Sequence, residues 1–248
     1  MPESVRLEVA PAEHVTAVVY PAAGERAGIS LILAHGAGAN QASAFMVRFA
    51  NALAARGIDT VTFNFLYTEM RKRVPDKNDK LEACWRKMIE AHHQGRLGQR
   101  IADNKLAIGG KSMGGRIASQ VAATIAFSGE VVSRFAAENA STQEASIDVA
   151  GLVLLGYPLH PPGQPDKLRT RHLPAIRAPM LIVQGSRDTF GTPEELRPVL
   201  ARLAAPVELF VVEGGDHSFK VAKKAVPNQE QVYESVLDEI ARWLRERT

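Results

Sequence analysis

Residues 106–115, LAIGGKSMGG, set a lysine and a serine among four glycines. Two chemistries use such a loop: a phosphate cradle ending in Gly-Lys-Ser, and a tight turn that presents a nucleophilic serine. A phosphate cradle needs a glycine five positions before its Gly-Lys pair. Counting back from Gly110 reaches Lys105, and Leu106 and Ala107 would fall inside the loop. The nucleotide reading therefore fails. Gly110, Ser112 and Gly114 instead fit Gly-x-Ser-x-Gly, in which small neighbours let strand and helix meet at a strained corner that carries the serine.

A serine hydroxyl is a weak nucleophile near neutral pH, so this chemistry needs a histidine base and a carboxylate to orient it. In a strand–turn–helix setting they are expected after the serine, acid first. GSRD supplies Asp188 just beyond an apolar run, and GGDHSF supplies His217 just beyond another. Asp216 is the rival acid, but an immediate neighbour is poorly placed to reach the far nitrogen of His217. The oxyanion formed on attack needs preset donors. The expected ones are the Met113 amide, directly after the nucleophile, and the Ala37 amide in HGAG (35–38), with His35 a buried structural residue.

These residues must be carried by a sheet. Short apolar runs at 5–9, 15–20, 29–35, 59–65, 105–110, 151–156, 180–185 and 207–214 alternate with segments of helical period, the pattern of strands joined by crossover helices. The first two read as half-buried edge strands; several others are apolar throughout, as strands covered on both faces should be. Phe45, Phe49 and Leu53, then Leu81, Trp85, Met88 and His92, then Val232, Val236, Ile240 and Trp243 form helical stripes. Ile117, Val121 and Ile125 continue from the serine turn. His92 and His93 are adjacent, cannot chelate one metal, and are expected at the surface. Residues 66–80 and 127–150 read as polar connections long enough to shape or gate a site.

Composition bounds the function. A chain of 248 residues, 46% hydrophobic and 23% charged, fits one globular domain spanning 1–248. A net charge of +3 with dispersed basic residues argues against a nucleic-acid partner. The single cysteine, Cys84, excludes an internal disulfide and reads as a half-buried helix position. The N-terminal stretch lacks a signal-peptide pattern and no run is long enough to span a bilayer, so a cytoplasmic protein is expected.

Taken together, HGAG, GGKSMGG, GSRD and GGDHSF resemble the α/β-hydrolase superfamily over essentially the whole chain. They are similar to small dienelactone-hydrolase-like members, and closer still to the KANL/Tex group of hydrolase-like proteins, which YPLHPPG (157–163) also matches. The resemblance implies an α/β-hydrolase fold: an eight-stranded, mostly parallel sheet with helices on both faces, no large lid domain and no cofactor or metal. It also implies hydrolysis of a small acyl ester, thioester or amide through an acyl-enzyme. Dienelactone hydrolases carry a cysteine where this chain has Ser112. Candidate substrate-binding residues are Gly36 of HGAG, Tyr67 and Arg71 of NFLYTEMRKR (64–73), and Tyr157 and His160 of YPLHPPG. Arg71, Lys72 and Arg73 read either as a feature favouring an anionic or phosphate-bearing substrate or as a solvated charge run. A non-catalytic interaction module and an acyltransferase on the same scaffold are the competing readings, and the oligomeric state is left open.

Overall fold

The computed structural model describes residues 2–136 and 148–248. Eight strands form one sheet: β1 (Glu3–Ala10), β2 (Glu13–Tyr20), β3 (Ile29–Ala34), β4 (Asp59–Phe63), β5 (Lys105–Lys111), β6 (Gly151–Leu155), β7 (Met180–Gly185) and β8 (Val207–Val212). Their spatial order is β1-β2-β4-β3-β5-β6-β7-β8. β2 runs antiparallel to both β1 and β4, and every pairing from β4 to β8 is parallel. The second run is thus an interior strand: β1 alone caps that end of the sheet, and β2 uses both of its edges for pairing.

The apolar runs are apolar because both faces are covered. Along β3, Leu31 and Leu33 enter one core while Ile32 and Ala34 enter the other, the two-residue alternation of a pleated strand. The helices are α1 (Ala44–Ala55), α2 (Leu66–Glu69), α3 (Asn78–His93), α4 (Gln99–Ala102), α5 (Met113–Ala136), α6 (Pro193–Leu200) and α7 (Gln229–Arg247). α1 and α7 cover one face through Phe49, Leu53, Val236 and Ile240. α3 and α5 cover the other through Trp85, Met88, Ile117 and Val121. Each such side chain, fully buried, contributes roughly 1.5–3 kcal/mol, enough to fix which stripe faces inward.

Four expectations change. His92 is buried, as its stripe requires, while His93 is exposed; burial pushes the His92 imidazole down to about 4. Cys84 is fully buried, which pushes its thiol up to about 12. The segment 66–80 is partly helical, holding α2 and the start of α3, with Leu66 and Tyr67 in the core. The segment 127–150 begins as the continuation of α5 to Ala136, and its remainder to 147 lies outside the described residues, with the expectation that it gates the site. Among the described residues, no helix is long and apolar enough to cross a membrane.

Candidate active site

β3, β5, β6, β7 and β8 are parallel neighbours, so their carboxyl ends share one edge of the sheet, where sites form in open α/β sheets. Ser112 follows β5 directly with φ 51°, in the left-handed region, which strains a residue with a Cβ by ~1–3 kcal/mol. The corner holds because it is packed. The Ser112 N–H donates to the Leu155 carbonyl at 2.9 Å and the Arg116 N–H to the Ser112 carbonyl at 3.0 Å. A Cβ on Gly114 would sit 2.4 Å from the Ala34 carbonyl oxygen, and one on Gly110 2.3 Å from the same atom. Only glycine fits at either position, so the motif's spacing is set by the approach of β3.

His217 Nε2 lies 2.8 Å from Ser112 Oγ, and His217 Nδ1 lies 2.7 Å from Asp188 Oδ2. A carboxylate only accepts, so Nδ1 carries the proton and Nε2 is left to accept from the serine hydroxyl. Asp188 is buried; its Oδ1 accepts from the Phe190 N–H at 2.8 Å and its Oδ2 from Gln184 Nε2 at 2.9 Å. Asp216 Oδ1 instead accepts the Ser218 and Lys220 amides at 2.8 and 2.9 Å, shaping the turn that carries His217. Phe190 packs on the imidazole with ring centroids 4.3 Å apart.

Sequence reading passed over one support, Gln184, and took another, Lys111, only as a charge beside Ser112. Gln184, fully buried near the end of β7, also accepts the Tyr157 N–H at 2.8 Å and donates to the Gly191 carbonyl at 2.6 Å. It locks the Asp188 loop to the β6 loop; the available signal was an amide in an otherwise apolar strand, which must be satisfied when buried. Lys111, beside the nucleophile, turns its Nζ onto the His217 carbonyl at 2.5 Å. Burial lowers its amine to about 8, against the raising influence of Asp188 and Asp216.

A cleft of about 810 Å³ opens over Ser112 and His217. Gly36, Ala37 and Met113 line it. Met113 is the first residue of α5, so its N–H has no acceptor within the helix. His35 lies beneath, fully buried. Its Nδ1 donates to the Gly36 carbonyl at 2.9 Å, leaving Nε2 to face the Phe65 N–H at 3.4 Å and Thr68 Oγ1 at 3.3 Å.

The other expected substrate residues lie elsewhere. Tyr67 is buried against His35 and Phe65, and Arg71 is exposed outside the cleft, as are Lys72 and Arg73. Tyr157 is buried, its hydroxyl donating to the Arg169 carbonyl at 2.6 Å. His160 is spent on the Pro161 carbonyl at 2.8 Å and Glu195 at 3.2 Å. Each lies on an expected segment, but the core or a neighbouring loop claims the side chains of Tyr67, Tyr157 and His160, and that of Arg71 faces solvent. The cleft is lined instead by Phe45, Met46 and Tyr233 near one helical layer and by Asp76, Arg116 and Arg169 near the other. Among the described residues, no group of three or more His, Cys, Asp or Glu forms a metal-binding cluster.

Residues 27–245 match the family described as alpha/beta hydrolase domain, and the chain belongs to it. Solved structures agree on the fold. A dienelactone hydrolase from Anabaena variabilis is 18% identical, with 100% of this chain and 98% of that one covered at TM-score 0.67. An alpha-beta serine hydrolase homologue from Coxiella burnetii is 19% identical, covering 98% and 96% at TM-score 0.64. A serine hydrolase without a lid from Xanthomonas campestris is 17% identical, covering 99% and 92% at TM-score 0.65.

Proposed function

We propose that this protein is a serine hydrolase that cleaves a small acyl ester, or a related thioester or amide, through an acyl-enzyme. The observation that carries this reading is the unbroken hydrogen-bonded chain from Asp188 through His217 to Ser112, at 2.7 and 2.8 Å. His217 Nε2 takes the hydroxyl proton as Ser112 Oγ bonds to the acyl carbon, and the displaced alcohol, thiol or amine leaves with that proton. Water, deprotonated in turn by His217, adds to the acyl carbon; the bond from that carbon to Ser112 Oγ then breaks, releasing the carboxylic acid as Oγ takes the proton back from His217. Asp188 keeps the imidazole in the needed tautomer and stabilises its charged form. The Ala37 and Met113 amides are assigned to the developing oxyanion, the second helped by the positive end of α5.

Covalent labelling by a fluorophosphonate probe, located by mass spectrometry, tests this. Wild type is expected to be modified at Ser112, and both Ser112→Ala and His217→Ala to resist it. A folded wild type that takes no label, and turns over no ester, would sink the reading in favour of a binding module.

A further inference from the structure

The cations lining the cleft are not equivalent. Arg48 pairs with Glu230 and with Glu234, at 3.6 Å for the latter, and lies over the Tyr233 ring at 4.8 Å. Lys111 is bound to the His217 carbonyl, and Lys220 is exposed. Arg116 and Arg169 are half-buried in the same cleft and, among the described residues, neither makes an ion pair. Arg116 Nη1 reaches only the Gln120 side-chain oxygen, at 3.2 Å, and Arg169 Nη1 only the Pro158 carbonyl, at 3.5 Å.

Their charges act on one another. Burial first, and then the Arg169 charge, hold the Arg116 guanidinium below its ordinary value. The nearby His172 is pushed down to about 4 by burial and by the Arg116 charge. Of the acids near them, Glu82 leans on Arg86 at 3.5 Å and Asp76 lines the cleft without pairing to either arginine. Two guanidinium groups half-withdrawn from water with no ion-pair partner, Glu82 acting on Arg116 only from beyond pairing distance, are unfavourable unless an anion arrives. Their planar donor forks match carboxylate and phosphate oxygens, two bonds at a time.

We propose that Arg116 and Arg169 form an oxyanion-binding subsite, so that the substrate is an ester carrying a carboxylate or phosphate a few atoms from its reacting carbonyl. The proposal rests on the serine-hydrolase reading above and names its substrate class. Position supports it. Arg116 follows Ser112 by four residues in the first turn of α5, its N–H donating to the Ser112 carbonyl at 3.0 Å, and both residues line the same cleft. Arg169 is held in advance: its N–H donates to the Leu159 carbonyl at 2.8 Å and its carbonyl accepts the Tyr157 hydroxyl at 2.6 Å. Tyr157 therefore acts on the subsite as a positioning residue.

The test compares kcat/KM for matched phenyl esters: the monoesters of glutarate and adipate, and phenyl 4-phosphonobutanoate, against phenyl valerate and hexanoate. Wild type is expected to favour one of the anionic series by about tenfold to a hundredfold, and the preferred head group identifies the oxyanion. That ratio is expected to fall about tenfold in Arg116→Gln and in Arg169→Gln, with partial recovery in the lysine variants. No anionic preference in a wild type whose Ser112 takes the fluorophosphonate label would overturn the subsite, as would a preference that both variants retain. If wild type neither labels nor hydrolyses any ester, the hydrolase reading fails on its own. Calorimetric binding of succinate or inorganic phosphate then decides the subsite: binding lost in Arg116→Gln supports it, and no binding overturns it.

Discussion

The serine corner and the loops facing it obey different constraints. At the corner, backbone contacts dictate side chains: Gly110 and Gly114 abut the Ala34 carbonyl, and Ser112 is held at φ 51° by bonds on both sides. In the loops at 64–76 and 157–169, the backbone reaches the cleft but the side chains divide between core and cavity. Tyr67, Tyr157 and His160 turn inward, while Asp76 and Arg169 turn to the cleft. The groups proposed to react are held by a geometry with few solutions. Recognition groups are held by one with many.

Breaking the corner should have the largest effect. Ser112→Ala is expected to lower kcat on an ester substrate by roughly 10⁴-fold or more, and His217→Ala by a similar factor, with the double variant little worse because the pair acts as a unit. Steady-state turnover of the three proteins checks this; additive losses would mean that the two residues act separately. Gln184→Leu probes the next layer out. It leaves the Tyr157 N–H without its acceptor and removes one of the three donors to Asp188, so stability should fall by about 1–3 kcal/mol. In a chain of this size each kcal/mol lowers Tm by about 2–4 °C. Calorimetry should show that drop together with a fall in kcat, and an unchanged Tm would remove Gln184 from the support. Tyr157→Phe works on the recognition side, deleting one hydrogen bond to the Arg169 carbonyl. The loss of about 1 kcal/mol corresponds to about a fivefold fall in the anionic-to-neutral ester ratio, measured on the same ester pairs.

The same contrast explains what the sequence revealed. Strands β3, β6 and β7 were readable because burial on both faces leaves almost no polar residue in them, and β1 because its polar and apolar residues alternate. The interior position of β2 was not, since it depends on pairing with β4, which is distant in sequence. That Ser112, Asp188 and His217 would meet was readable because each lies just past a strand's carboxyl end on one edge of the sheet, the serine in a motif with a steric reason. Gln184 was hidden: one amide in an apolar strand does not say which loops it will join. Arg116 and Arg169 were hidden for a deeper reason, because their meaning lies in the absence of a nearby carboxylate among the described residues, a property of the assembled cleft. The basic run at Arg71, Lys72 and Arg73 attracted notice by adjacency, yet it faces solvent.

Lys111 belongs to both regions, and its smaller effect can be separated by sign. Its neighbours in sequence form the corner, but its Nζ holds the loop that carries His217. The folded-state value of about 8 lies below the usual lysine value near 10.4. Between those limits the unfolded chain binds more protons than the folded one, so this group makes stability rise with pH; that contribution is lost as pH falls through about 8. Activity should move the other way, because deprotonation weakens the charge-assisted bond that positions His217. The expected result is a severalfold decline in kcat above about pH 8 in wild type, alongside a Tm gain relative to Lys111→Met over the same range. A difference from Lys111→Met that stays flat with pH in both quantities would show that the lysine serves only as packing.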